Sequence, residues 1–319
     1  GIGCIHTVEG VGFPRDLDVD TARFVARGQR SGFQTRVFFQ TMDERKVLKR
    51  KLPRIGGCFE TALDGCFGSK DAALNQPYRD DSSNRGILFY DQNTVDAFCD
   101  RANRAGLQIE LHAIGDAAFD QATIAIQRAL EKFPRDDHRH TIIHACLPTD
   151  RGLDICATHN IGIAAQSAFL DWNLEPDDYL ESILGDRARH ILPLREFVKR
   201  GIRFSFGSDA PCTIPDPVEW FHKACNHPVA EQSISVEEAI RALTIDSAWM
   251  GFNDKERGTL EVGKIADMTI LSDNPFQVRV DELRRIKTES LILKGEKYKG
   301  NQNIFSTTIC SLLNARKTK

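Results

Sequence analysis

Three histidines lie within seven residues of the segment DDHRHTIIHACL, and their spacing decides which of them could bind a metal ion. In a β-strand, which rises about 3.3 Å per residue, His140 and His144 would lie about 13 Å apart on one face. Zinc–nitrogen bonds are only about 2.0–2.1 Å long, so these two side chains cannot share one ion. His138 falls in the polar turn before the strand, and His140 is expected to form a local hydrogen bond. The spacing therefore favours His144 as a metal ligand.

Three further residues of metal-binding type stand at the ends of other apolar segments. Glu60, His112 and Asp209 each end or directly follow a different predicted strand, as His144 does. In barrels of parallel strands, the chemistry sits at the C-terminal ends of the strands. We therefore expect these four side chains to converge on a divalent metal ion. Asp209 is expected to serve both as a ligand and as the general base that takes a proton from a metal-activated water.

The elements that must position these residues alternate between strand and helix. The predicted strands are short apolar segments at 2–8, 35–40, 54–60, 107–113, 140–145, 161–167 and 202–208. Amphipathic stretches between them are predicted helices, at 93–106, 116–133 and 193–201. This alternation is typical of an α/β protein with a parallel sheet covered by helices. An open doubly wound sheet and a (β/α)8 barrel lacking one strand both fit the count, and the polar residues at the strand ends favour the barrel.

The rest of the chain is less regular. Residues 61–92 exceed an ordinary connection and are a candidate lid or substrate loop. After a helical pattern that begins near residue 235, glycine-punctuated, strand-like segments extend to residue 300 and indicate a small β appendage. We divide the chain into a barrel over 1–250, part of a β-sandwich over 251–300 and a tail over 301–319.

Composition excludes several classes of function. The net charge of −3 and the absence of a Lys or Arg run give no case for nucleic-acid binding. No apolar run approaches the roughly 18 residues of a membrane span, and the first residues do not form a signal peptide. The nine cysteines are scattered, and none forms a C-x-x-C pair. They predict free thiols in a reducing compartment, and we expect a cytoplasmic protein.

Several longer motifs carry a resemblance to a known family. They are LHAIGDAAFDQA (111–122), RHTIIHA (139–145), GIAAQSAFL (162–170), GDRARHILPLREFVKRGIRFSFGSDAP (185–211) and GTLEVGKIADMTILSDNPF (258–276). Together they resemble the amidohydrolase superfamily, in the family 3 branch that includes N-substituted formamide deformylase-like enzymes. The resemblance covers roughly residues 1–295.

The resemblance implies a (β/α)8 barrel with a small β-sandwich and a site for one or two divalent metal ions, usually zinc, that activates water to hydrolyse a C–N bond. It implies that His112 and His144 are metal ligands and that Asp209 is a ligand and the general base. Glu60 sits where the family often places a bridging lysine. The expected function is hydrolysis of a small-molecule amide or formamide.

The chain departs from the family pattern at its front. The family's first barrel strand carries an H-x-H, whereas this chain begins at what resembles the second strand, where His6 has no such partner. We expect a barrel that lacks its first strand and exposes two strand edges, which invite homo-oligomers unless the segment 303–313 fills the gap or the parent protein is longer. Without the H-x-H, activity is expected to be low or absent. The alternative is a non-catalytic barrel remnant that acts as a binding or self-associating protein.

Four residues are candidates for contacts with the substrate. Asp64, Ser69 and Tyr78 belong to the long loop, which is expected to cover the site. Gln166 ends the strand predicted over 161–167 and is expected to face the site.

Overall fold

Seven parallel strands form the main sheet in a computed structural model that describes residues 1–29, 31–300 and 304–315. Strands adjacent in sequence are adjacent in the sheet, and the sheet curls into an open barrel. The strands are β1 (Cys4–Glu9), β2 (Gln34–Phe39), β3 (Arg54–Ala62), β4 (Gln108–Ala113), β5 (Thr141–His144), β6 (Gly162–Ala165) and β7 (Phe204–Phe206). Among the described residues, β1 and β7 do not pair with each other. The predicted fold class, a TIM-type barrel with a small additional sheet, is confirmed.

Helices connect the strands and cover the outside of the sheet. They are α1 (Leu17–Gly28), α2 (Glu44–Lys49), α3 (Gln92–Arg104), α4 (Asp116–Lys132), α5 (Asp150–His159), α6 (Asp177–Leu184), α7 (Leu194–Lys199), α8 (Pro217–Cys225), α9 (Val236–Arg241) and α10 (Ser247–Met250). The sequence specifies their ends: α3 begins after Asp91, whose carboxylate accepts a hydrogen bond from the Thr94 N–H, and ends just before Gly106, where φ is +76°. A single π-helical turn, Ala242–Asp246, joins α9 to α10.

The alternation of side chains along β4 explains how the sheet presents polar groups. Ile109 and Leu111 are completely buried in the apolar core between sheet and helices. Glu110 and His112 alternate with them and therefore project to the opposite face, inside the open barrel. Because the strands are parallel, the C-terminal ends of all seven lie at one mouth of the barrel.

The C-terminal part adds a small sheet and one helix. β8 (Met268–Leu271), β9 (Thr288–Leu293) and β10 (Glu296–Lys297) form an antiparallel sheet. α11 (Ile304–Ala315) lies against α1, so closely that a Cβ on Gly28 would come within 2.4 Å of the Thr307 carbonyl oxygen. The segment 304–313 is therefore helical and does not fill the gap between β1 and β7 as a strand. The rest of the predicted tail, 301–303 and 316–319, lies outside the described residues.

Two of the compositional predictions can be compared with the structure. All nine cysteines are free thiols. Over the described ranges, no helix has both the length and the apolar character that crossing a membrane requires.

Candidate metal centre

One group of side chains at the barrel mouth has the geometry of a metal site. A ligand atom from each of Cys58, His112 and His144 lies within 4.8 Å of the other two. The residues come from three neighbouring strands, β3, β4 and β5, and the two imidazole rings meet edge to face with centroids 4.5 Å apart. Within the described part of the chain, no other set of three His, Cys, Asp or Glu side chains is as compact.

One imidazole nitrogen of His112 has no hydrogen-bond partner among the described residues. Its Nε2 lies 3.3 Å from the carbonyl oxygen of Gly65 and 3.6 Å from Oδ1 of Asp64, so Nε2 carries the proton and donates it. Its Nδ1 is buried and has no hydrogen-bond partner among the described residues. Burial, together with the neighbouring His144, lowers the pKa of His112 to about 3. The ring is therefore neutral at pH 7, and an unshared electron pair on Nδ1 is directed into the protein.

The second histidine is held in one tautomer by a glutamine. Nδ1 of His144 lies 2.7 Å from Oε1 of Gln166, and the Gln166 amide nitrogen donates to the Ala164 carbonyl oxygen at 2.9 Å. That second bond assigns the orientation of the amide, so Nδ1 of His144 must be the donor and Nε2 carries the free electron pair. Burial lowers the pKa of His144 to about 4. Gln166 thus contacts His144, a candidate ligand, and its contact with a substrate stays a prediction.

The structure places Cys58, and not Glu60, beside the two histidines. Glu60 is exposed, and its Oε1 accepts hydrogen bonds from the Met42 N–H at 3.0 Å and the Thr41 hydroxyl at 3.3 Å. The reason is a shift in strand register: Gly57 pairs with Leu111, but the next residue of β4, His112, pairs with Ala62. The four intervening residues of β3 break the simple alternation of faces on which the prediction of Glu60 depended.

Cys58 was missed because the cysteines were all interpreted as structural thiols. Cys58 is the first residue of the irregular part of β3, where the two-residue alternation of a regular strand does not indicate its face. Burial, together with the nearby charge of Asp209, raises the pKa of the Cys58 thiol well above its ordinary value of 9.0. The thiol is therefore protonated at pH 7.

Asp209 follows β7 and lies near this group without belonging to its compact core. The residue is half-buried and has a left-handed backbone with φ of +51°. Burial raises the pKa of its carboxyl group, while a hydrogen bond from Cys212 and the attraction of His112 lower it. Its ligand atoms are not within 4.8 Å of all three clustered side chains. Asp209 therefore lies beside the compact group and not within it.

Two of the three loop residues predicted to bind substrate have internal partners. The Asp64 carboxylate is buried and accepts backbone hydrogen bonds from Ala73 at 2.9 Å, Ile114 at 2.9 Å and Gly115 at 2.8 Å. The Tyr78 hydroxyl is also buried and donates to the Ala72 carbonyl oxygen at 2.9 Å. Tyr78 therefore bonds within the loop, and Asp64 also joins the loop to the segment after β4.

The third loop residue is on the surface. Ser69 is exposed, and its hydroxyl bonds to the carboxylate of Asp71. Two hydrogen bonds connect the loop around Ser69 to residues beyond it. The Gly68 N–H donates to Glu175 Oε1 at 2.6 Å, and the Tyr179 hydroxyl donates to the Phe67 carbonyl oxygen at 3.1 Å. The loop is therefore joined to the segment that includes Glu175 and the start of α6.

The two remaining histidines of the opening motif lie at the other end of β5. His140 is completely buried, accepts from the Ile109 N–H at 3.0 Å through Nδ1, and donates from Nε2 to Asn103 Oδ1 at 3.1 Å. His138 Nδ1 accepts from the His140 N–H at 2.9 Å. The side chain of His140 thus bonds to residues 31 and 37 positions away in the chain, and not to a local partner as expected.

A divalent ion fits the clustered residues by two criteria. The buried Nδ1 of His112 has no hydrogen-bond partner in the part of the chain that the structure describes, and such atoms are rare in proteins unless they bind an ion or water. One thiolate and two imidazoles are three protein ligands, the number typical of catalytic zinc sites, in which a fourth position stays open. Sulfur and imidazole donors select zinc over magnesium and calcium, which prefer oxygen.

Comparisons with known proteins support a common fold and family. The family model described as "Amidohydrolase family" matches residues 25–297. YtcJ of Bacillus subtilis (strain 168), a relative named as an amidohydrolase, is 28% identical over 254 residues. The matched region covers 75% of this chain and 46% of YtcJ. N-substituted formamide deformylase of Arthrobacter pascens is 24% identical over 250 residues, or 73% of this chain and 43% of the relative. The chain therefore spans less than half the length of these curated relatives.

Solved structures agree at the level of fold. An uncharacterized metal-dependent hydrolase from Pyrococcus furiosus superposes with a TM-score of 0.66 and 24% identity, covering 80% of this chain and 53% of that one. A second from Pyrococcus horikoshii gives a TM-score of 0.63 and 24% identity, covering 78% and 52%. At this identity the similarity shows that the fold is shared.

Proposed function

Because the chain belongs to the amidohydrolase family, we propose that it is a metal-dependent hydrolase of the C–N bond in small amides or formamides. The observation that carries the proposal is the convergence of Cys58, His112 and His144, each with a donor atom available, at the barrel mouth. The relative named N-substituted formamide deformylase supports formamides as one substrate class. We propose one zinc ion as the cofactor, held by these three side chains.

The chain's own residues would divide the chemistry between them. A zinc ion, when bound, acidifies a water molecule and polarises the carbonyl group of the substrate. Asp209 takes the proton from the attacking water and passes it to the leaving nitrogen, a role suited to a half-buried carboxylate whose pKa burial has raised. Gln166 keeps the proton of His144 on Nδ1, so that Nε2 remains a ligand.

Hydrolysis of a panel of N-formyl and N-acyl amines by the zinc-loaded chain tests this proposal. We expect release of the free amine that stops when a chelator removes the metal. Asp209→Asn is expected to lower turnover by about 10²–10⁴-fold, the usual contribution of a general base. Zinc content is measured for each variant, so that loss of the base is separated from loss of the metal. Hydrolysis that survives both the chelator and Asp209→Asn would overturn the proposal.

The open edges of the sheet favour a second candidate function. Within the described residues, β1 and β7 each have a pairing partner on one side only. Unpaired strand edges are templates for association with another chain. In this alternative the chain is a non-catalytic, self-associating barrel. Stable oligomers that bind no zinc and hydrolyse none of the panel would favour it over the hydrolase.

A further inference from the structure

The position of Cys58 depends on an irregular segment of β3. Between the pairs Gly57–Leu111 and Ala62–His112, β3 contains four residues that have no counterpart on β4. Gly56 and Gly57 precede the segment with φ values of +114° and +151°, which other residues rarely adopt. Unpaired residues in such a segment must find hydrogen-bond acceptors outside the normal ladder.

A buried glutamine from the neighbouring strand supplies the acceptor. Gln40 directly follows β2 and is only 1% exposed. Its Oε1 accepts hydrogen bonds from the N–H of Cys58 at 2.8 Å and of Phe59 at 2.9 Å. A Cβ on Gly57 would come within 2.3 Å of Gln40 Cγ, so the glycine leaves the space that this side chain fills. Gln40 and the irregular segment are therefore matched in shape and in hydrogen bonding.

We propose that Gln40 is a positioning residue that holds Cys58 in place to bind the metal ion; this inference rests on the proposed metal centre. One oxygen atom fixes the backbone at Cys58 and at the residue after it, and so fixes the direction of the Sγ atom toward His112 and His144. Without that oxygen, two N–H groups lose their acceptor, the segment relaxes toward other partners, and the thiol leaves the group. Residues that orient ligands in this way typically change metal affinity by about 10–100-fold.

Three variants distinguish a change in the position of Cys58 from a general loss of protein stability. Gln40→Met keeps the length of the side chain and removes the acceptor, whereas Gln40→Glu keeps an acceptor oxygen. Gln108→Met is the matched control, since Gln108 is also buried inside the barrel but bonds to Arg54, Arg139 and Met250 at the opposite end. If Gln40→Met fails to fold, Gln40→Asn takes its place in every measurement. The asparagine side chain is one methylene shorter, so its acceptor oxygen lies farther from the two N–H groups.

Hydrogen exchange in the metal-free protein measures the proposed contact itself. We expect the amides of Cys58 and Phe59 to exchange at least about tenfold faster in Gln40→Met than in the wild type, because their shared acceptor is gone. Gln40→Glu and Gln108→Met should leave these two amides protected. Wild-type protection in Gln40→Met would overturn the inference whatever the metal measurements show.

Cobalt(II) then reports on the thiol, because a cobalt–thiolate bond gives a charge-transfer absorption band. We expect the wild type, Gln40→Glu and Gln108→Met to show the band, and Gln40→Met to bind cobalt about 10–100-fold more weakly with a reduced band. An unchanged affinity and band in Gln40→Met would overturn the inference and leave the metal centre intact. A wild type without any cobalt–thiolate band would overturn the proposed metal centre, and the role of Gln40 with it.

Discussion

Cys58 is the only one of the three proposed ligands that must lose a proton before it can bind a metal ion. The pKa of its thiol is raised well above 9.0, so the thiol is protonated throughout the neutral range. The pKa values of His112 and His144 are lowered to about 3 and about 4, so both rings are already neutral there. Binding of zinc at neutral pH should therefore release one proton, and that proton comes from the cysteine.

The pH dependence of zinc affinity tests this assignment. Because one proton competes with the metal, we expect the zinc Kd to fall about tenfold for each unit of rising pH between about pH 6 and pH 8. Calorimetry in buffers of different ionisation enthalpy measures the proton release directly. In Cys58→Ser the affinity should be weaker and nearly independent of pH. Cys66→Ser, which changes a half-buried thiol outside the group, should retain the wild-type slope. A slope of zero in the wild type would contradict the assignment.

Gln166 gives a second prediction for a single side chain. Gln166→Leu removes the acceptor that fixes the proton of His144 on Nδ1, so the imidazole can adopt the tautomer in which Nε2 is no longer a ligand. We expect zinc to bind about 10–100-fold more weakly in this variant. Gln166→Glu keeps the acceptor and should bind zinc almost as well as the wild type. Equal affinities for Gln166→Leu and the wild type would show that the tautomer is fixed in another way.

The two histidines of the proposed centre could be predicted from the sequence, whereas the cysteine could not. One physical reason explains both results. His112 and His144 end regular strands, where a period of two residues determines the face of each side chain. Cys58 and Glu60 lie in a segment where that period fails. The segment bonds to Gln40, 18 residues earlier in the chain, and local pattern does not reveal such a contact.

At the scale of elements, the loop over residues 63–91 is held by hydrogen bonds between side chains and backbone, both within the loop and to the segment after β4. Strands and helices could be predicted because their apolar residues recur at fixed intervals. The loop has no such interval, and its shape depends on particular bonds such as the three that Asp64 accepts. Its length therefore indicated a cover for the site, while the internal role of Asp64 became clear only from the structure.

Asp64→Asn tests how much that carboxylate contributes to the loop. An amide can supply only one acceptor oxygen, so at least one buried N–H loses its partner. A buried N–H group left without a partner costs about 1–3 kcal/mol, and we expect the free energy of unfolding to fall by about that amount. Urea denaturation measures the loss, and limited proteolysis should cut within the loop. Asp80→Asn, which removes a partly exposed pair with Lys70, is the control and should change stability by less than about 1 kcal/mol. Equal stabilities for the two variants would contradict the role of Asp64.

At the scale of the whole molecule, the order of the strands could be predicted and the packing inside the barrel could not. Seven strands separated by helices indicated a barrel-type sheet, since parallel strands need such crossovers. The interior, however, contains charged groups that the apolar pattern hid. Arg54 is buried there, donates to Gln108 Oε1 at 3.0 Å and lies 5.8 Å from the centroid of the Phe252 ring. Such long-range pairs depend on the completed fold.

The open edges of the sheet predict self-association of the isolated chain. Ile5 in the edge strand β1 is 38% exposed. A lysine in an edge strand opposes pairing with another chain, so Ile5→Lys should shift the equilibrium toward the monomer. Sedimentation velocity over a range of concentrations measures the shift. Ile87→Lys, at an exposed position in the loop, should associate like the wild type. A wild type that remains monomeric at every concentration would contradict the prediction.

X-ray absorption at the zinc edge tests most directly whether Cys58, His112 and His144 bind one metal ion together. In the zinc-loaded wild type we expect one sulfur at about 2.3 Å and two imidazole nitrogens at about 2.0–2.1 Å. In Cys58→Ser the sulfur shell should disappear while the imidazole scattering remains. A zinc ion surrounded by oxygen alone, or a sulfur shell that persists in Cys58→Ser, would contradict the account.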